Sequence, residues 1–307
     1  MVTKYVTTDI LELAYLEHGP ASGRPVLLLH GFPDDATSWD AVADRLAGHG
    51  ARVLAPHTRG VGPTRFRLDE TPRTGQLGAL VTDAVAFLDA LGVQRVTVAG
   101  QDWGARVAQG LAALHPERVE HLVSLGSYGL SWEDGGFPPP KVLHALWYQW
   151  LLMLELGDAL LRYDLDARTS FFAYLWDVWS PTWTGRQQAF SSVRASLTGP
   201  DLADIVLSAY RHGRTDTITD ARYDDVEAAL AAAPRVEMLT TVLLGADDGI
   251  EQPAVDDPRD AHFFPHLRSR LLLEGVGHWP HREAPDLVAD ALAGEPLTSS
   301  GNAQARQ

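Results

Sequence analysis

The chain has 307 residues, 45% hydrophobic and 21% charged, an ordinary balance for a globular protein with a sizeable core. It holds no cysteine, which excludes a disulfide framework, a thiolate metal site and a cysteine nucleophile. A formal charge of -15 with no basic cluster argues against nucleic acid and against anionic membrane surfaces as partners.

The N-terminal stretch alternates like a strand and lacks the apolar core and small-residue cleavage site of a secretory signal. No run approaches the roughly 18 apolar residues of a membrane-spanning helix. The expected location is the cytoplasm.

Residues 11–17 and 25–29 read as strands, the second a fully apolar run suited to burial on both faces. A helix is predicted over 41–46, a strand over 52–55, and a helix over 81–91 that stops at Gly92. RVTVA (95–99) is a strand, 105–114 a small-residue helix ending before Pro116, and 119–125 another strand. This alternation predicts a parallel sheet covered on both faces. It breaks at about Trp132. A Gly/Pro-rich opening (Gly135, Gly136, Pro138, Pro139, Pro140) leads into helical patterns rich in Trp, Tyr, Phe and Leu, with no buried strand up to 222. TVLL (241–244) and RLLL (270–273) resume the strand pattern, and 285–292 closes as a helix. The fold class is α/β, with a mostly parallel eight-stranded sheet, helices on both faces and an inserted all-helical cap. The expected division is core 1–131, cap 132–224, core 225–297 and a polar, disordered tail 298–307.

Gly100-Gln101-Asp102-Trp103-Gly104 directly follows the strand RVTVA and directly precedes a helix. Glycines flanking one exposed residue at a strand-to-helix turn are the signature of a nucleophile elbow, here with Asp where lipases and esterases hold Ser. His30-Gly31-Phe32-Pro33 follows the apolar strand, where such a fold places one N–H of an oxyanion hole; the residue after the nucleophile supplies the other. The backbone amides of Phe32 and Trp103 are therefore assigned to the hole, and His30 is read as structural. Gly245-Ala246-Asp247-Asp248 and Gly275-Val276-Gly277-His278 follow the last two strands, in the chain order nucleophile, acid, histidine. His278 is the expected base, with His281 as the alternative. Asp248 is the expected acid, with Asp247 a solvated neighbour.

With these residues in this order, the chain resembles the α/β-hydrolase superfamily in its epoxide hydrolase and haloalkane dehalogenase branch. The resemblance covers about 5–292 and rests on HGFPDDATSWD, RGVGPTRF, GQDWGA, GADDG and GVGHWPHREAP. A carboxylate suits attack on a saturated carbon, giving an alkyl ester that water then hydrolyses. Asp102 attacks, His278 with Asp248 activates the water, and the Phe32 and Trp103 amides hold the oxyanion. This chemistry needs no cofactor and no metal.

The leaving group separates the two activities. The resemblance to epoxide hydrolases implies two cap tyrosines that protonate the epoxide oxygen, and Tyr148-Gln149 and Tyr210-Arg211 look similar to the segments that carry them; Tyr163 and Tyr174 are the reserves. Haloalkane dehalogenases bind halide with a Trp after the nucleophile, which Trp103 matches, plus a second Trp or Asn. Phe32 stands where the Asn would be, so a cap Trp would have to substitute. Haloacid dehalogenation would need arginines to clamp a carboxylate, and Arg106 alone beside an indole is a poor clamp. Trp103, Phe32, Trp147, Trp150, Trp176 and Trp179 are the expected substrate-binding aromatics. The leading reading is opening of an apolar epoxide to a diol. Dehalogenation with the same triad, and a non-catalytic ligand-binding role for the fold, are the alternatives. The expected partner is a small hydrophobic substrate, and the sequence is compatible with a homo-oligomer.

Overall fold

The computed structural model describes residues 3–130, 140–251, 256–295 and 297. The predicted cap boundary at 132, with Gly135, Gly136, Pro138 and Pro139, and the tail 298–307 lie outside these residues.

The strands are β1 (Lys4–Thr7), β2 (Leu11–His18), β3 (Arg24–Leu29), β4 (Ala51–Pro56), β5 (Arg65–Phe66), β6 (Val96–Gln101), β7 (Val119–Leu125), β8 (Leu239–Gly245) and β9 (Leu267–Leu273). They form one sheet in the order β1-β2-β4-β3-β6-β7-β8-β9. The pairs from β4 to β9 along this path are parallel, while β1, β2 and β4 pair antiparallel. The eight strands of this path match the expected sheet: seven carry the ranges read from the sequence, and β1 lies in the N-terminal stretch that alternates like a strand. The two-residue β5, which pairs with β2, is too short to carry a periodic signal.

Alternation along the central strands builds two cores. Leu27 and Leu29 of β3 and Val98 of β6 face α2 (Leu77–Ala90) and α3 (Trp103–Leu114), packing on Val81, Leu88, Val107 and Leu111. Val26, Leu28 and Ala99 point the other way, onto Val42 and Leu46 of α1 (Asp40–Gly48) and Val288 and Leu292 of the C-terminal helix. β6 extends two residues past the apolar run because its pairing with β7 continues through Gln101↔Leu125, which carries the strand to the edge of the elbow.

Between β7 and β8 the described residues form no strand. They fold into α4 (Pro140–Ala145), α5 (Trp147–Met153), α6 (Glu155–Arg162), α7 (Leu165–Trp179), α8 (Arg186–Val193), α9 (Leu202–Arg211) and α10 (Asp224–Ala231). A third apolar cluster seals these helices onto the sheet domain, joining Phe172, Leu175, Trp176, Trp179, Val206 and Tyr210 to Phe32, Val61, Ile250 and Trp279. α11 (Asp260–Phe263) lies between β8 and β9, and α12 (Pro280–Glu283) and α13 (Pro285–Ala293) follow β9. Arg59, fully buried, ties the loop after β4 to its surroundings. Its guanidinium makes two 2.7 Å bonds to Asp83 and also donates to Thr74 O, Ala79 O and the Tyr223 hydroxyl.

Candidate active site

Asp102 sits between β6 and α3 at φ 53° and ψ -119°, backbone angles that a non-glycine residue rarely adopts. The flanking glycines make the turn: a Cβ on Gly100 would lie 2.0 Å from Gly104 O, and one on Gly104 2.1 Å from Leu29 O. The turn presents the carboxylate to the loop after β3, where the Phe32 N–H donates to Asp102 Oδ1 at 2.8 Å. His30, in the same loop, is structural. Its Nδ1–H donates to Gly31 O at 2.9 Å, and its Nε2 accepts from Thr58 N at 3.1 Å.

The loops after β8 and β9 bring the other two members of the expected triad to Asp102. His278 Nδ1 and Asp248 Oδ2 are 2.8 Å apart, and Asp248 Oδ1 accepts the N–H groups of Ile250 (2.7 Å) and Glu251 (3.2 Å). The other ring nitrogen, Nε2, lies 3.9 Å from Asp102 Oδ2 and has no hydrogen-bond partner among the described residues. Gln101 Nε2 donates to the His278 carbonyl at 2.9 Å. Asp247 contributes only its backbone here, donating to Val276 O at 2.9 Å. His281 lies elsewhere, its ring packed 4.3 Å from that of Trp39.

Burial alone would lower the His278 imidazole, but Asp248, Asp102 and Glu251 overcome it and raise its pKa to about 9. Burial pushes the Asp102 carboxyl up, against the opposing pull of His278 and of the Phe32 and Trp103 amides. Tyr148 on α5 and Tyr210 on α9 are both buried, their rings 5.6 Å apart and perpendicular. Burial first, and then the Asp102 charge among others, raises both phenols, so each keeps its proton at neutral pH. Gln149 Nε2 donates to the Tyr148 hydroxyl at 3.2 Å, and the Tyr210 hydroxyl faces the Tyr148 hydroxyl and the Trp103 indole. Tyr163 and Tyr174 are 80% and 53% exposed, facing away from the site.

The aromatic expectations divide. Phe32 and Trp103 stack at 5.2 Å, and Tyr210 lies within 6 Å of both. Trp179 packs 5.0 Å from His278 and 4.9 Å from Tyr148. Trp147 stands one ring further back, 6.5 Å from Tyr148. The structure does not bring Trp150 to the site: the buried face of α5 runs through Tyr148 and Leu152, which leaves Trp150 41% exposed. Nor does Trp176 face the triad. Stacked 4.1 Å from Trp279, it donates its indole N–H to Pro33 O at 2.9 Å and braces the loop after β3 from behind. Arg106 turns to the Gly129 carbonyl at 2.8 Å. Sequence reasoning missed Gln101, Ser180, Trp279 and Glu283. The first lies inside the elbow motif and the last two inside the histidine motif, so adjacency was their one signal; Ser180 had none.

Among the described residues no group of three or more His, Asp or Glu is placed to hold a metal ion, and no helix is long and apolar enough to cross a membrane. Residues 24–285 match the family described as alpha/beta hydrolase fold. The chain belongs to that family. This α/β hydrolase is 34% identical, with a TM-score of 0.86, to a Klebsiella pneumoniae structure provisionally assigned as an epoxide hydrolase, across 95% of this chain and 96% of that one. It is 37% identical over 142 residues to epoxide hydrolase B of Mycobacterium tuberculosis, and 35% identical over 135 residues to 2-hydroxymuconate semialdehyde hydrolase of Pseudomonas sp. (strain CF600). These two matches cover 41% and 42% of the α/β hydrolase and 39% and 44% of the relatives.

Proposed function

We propose that the protein hydrolyses an apolar epoxide to a diol through an alkyl ester on Asp102. The observation that carries this reading is the pair of buried phenols, Tyr148 and Tyr210, packed against the aromatic rings beside the elbow carboxylate. An epoxide oxygen leaves as an alkoxide and takes a proton, which a phenol kept in its neutral form supplies. With Asp102 Oδ1 held by the Phe32 N–H, Oδ2 is the free nucleophile. It attacks an epoxide carbon, the C–O bond opens, and a tyrosine proton passes to the departing oxygen. His278 then takes a proton from water, which attacks Asp102 Cγ. The negative charge gathers on Oδ1 at the Phe32 and Trp103 amides, collapse expels the diol, which takes its proton from His278, and the proton left on the Asp102 carboxyl returns to the tyrosinate.

Dehalogenation is the second reading. Trp179 Nε1 is buried without a hydrogen-bond partner among the described residues and sits beside His278, while Trp103 adjoins the nucleophile, so two indoles would be available to a halide. A parallel screen of epoxides and haloalkanes, measuring diol against released halide, separates the two. Diol formation with no halide release is the expected result. Halide release alone would replace the epoxide reading, and neither product would favour a ligand-binding role.

A further inference from the structure

We propose that Ser180, together with Glu283, is a positioning clamp that holds the catalytic histidine for ester hydrolysis, and that cap helix α7 is the strut carrying it. The inference rests on the reading of Asp102 and His278 given above.

Ser180 is the fully buried residue that ends α7. Its hydroxyl accepts the backbone N–H of His278 at 2.7 Å and donates to Glu283 Oε1 at 2.7 Å. The Glu283 carboxylate also accepts the N–H groups of Gly277 (2.9 Å) and Trp279 (3.2 Å). Three consecutive amides of the histidine loop therefore end on one Ser–Glu pair. The same helix end reaches the acid loop, where Gly249 N donates to Trp179 O at 3.1 Å. One turn earlier, Trp176 holds the oxyanion loop through Pro33 O.

The fit leaves no slack. A Cβ on Gly277 would lie 2.3 Å from Ser180 Oγ and 2.6 Å from its Cα, and a Cβ on Gly249 would lie 2.1 Å from Val178 O. Both loops thus carry glycine where α7 abuts them.

The two chemical steps depend on this clamp unequally. Ester formation uses Asp102, the oxyanion amides and a proton donor from the cap. Ester hydrolysis needs the His278 ring aimed at a water, and a small misplacement of a general base is costly. The backbone of His278 is fixed by Ser180 at its N–H and by Gln101 at its carbonyl, and its ring by Asp248.

Ser180→Ala and Glu283→Gln are compared with the parent enzyme in single-turnover mass spectrometry that times the Asp102 ester. Ester formation is expected to stay within about twofold, while ester decay slows roughly 10- to 100-fold and the adduct accumulates. Unchanged decay, or equal slowing of both steps, would overturn the clamp. A substrate-free readout accompanies it: the downfield proton resonance of His278 Nδ1–H, which is expected to shift or broaden in both variants and would contradict the proposal if unchanged. If the parent forms no ester, the mechanism fails and the resonance still decides the clamp. Should Ser180→Ala not fold, the isosteric Glu283→Gln makes the same comparison.

Discussion

His278 Nε2 stands 3.9 Å from Asp102 Oδ2, beyond direct hydrogen bonding and close enough for one water to touch both groups. With Nδ1 bound to Asp248, the ring has one nitrogen for its anchor and one for the reaction. On the proposed mechanism a base so placed serves the second step and not the first. His278→Gln is expected to form the Asp102 ester at near-parental rate and to hydrolyse it at least about 10³-fold more slowly. Intact-mass spectrometry should show the protein shifted by the mass of the epoxide; an unshifted mass with a good substrate would redirect the base assignment.

On the proposed mechanism the tyrosines act in the other step. Tyr148→Phe and Tyr210→Phe are each expected to slow ring opening by about 10²-fold, within the usual range for a general acid. Tyr210, whose ring packs 5.5 Å from that of Trp103 beside Asp102, should have the larger effect on rate. Pre-steady-state ester formation measures it. Two unaffected variants would shift the assignment toward halide as leaving group.

The electrostatics around His278 set a pH dependence with a definite sign. Folding raises the imidazole from its ordinary value near 6.5 to about 9. The resulting stabilisation is present in full below about pH 6.5 and is lost as pH rises through about 9. Denaturation of the parent and of His278→Gln across that interval should show the slope in the parent alone. Esterification of Asp102 removes one of the anions that hold the proton on. Ester decay should therefore rise with pH and reach its midpoint below that of His278 in the free enzyme.

Arg59 offers a test of packing apart from catalysis. Replacing it with Met leaves the Asp83 carboxylate without its bidentate partner, together with two buried carbonyls. A loss of roughly 3–5 kcal/mol is expected in chemical denaturation. A loss below about 1 kcal/mol would mean that the ion pair barely offsets its own desolvation.

Much of the sheet was legible because its central strands are apolar runs bounded by turn residues, and the elbow because its glycines frame one residue between a strand and a helix. The start of β9 was not: Leu267 to Arg270 lies at the sheet edge, half exposed, where polar residues interrupt the pattern. The roles of the cap aromatics were hidden for a different reason. Trp147 and Trp150, three residues apart, share a helix face, but spacing does not say which face is buried, and α5 turns Tyr148 inward with Trp150 outward. Ser180 carries no local signature at all, because its partners His278 and Glu283 lie about a hundred residues away in sequence.

Everything in the proposed mechanism depends on Asp102 as the nucleophile. A single turnover in heavy-oxygen water, followed by digestion and mass spectrometry of the Asp102 peptide, tests it most directly. Label is expected in the Asp102 carboxylate, because water attacks Cγ and the diol takes its new oxygen from Oδ2. Label in the diol alone, with an unlabelled Asp102 peptide, would mean that water attacks the substrate directly and would contradict it.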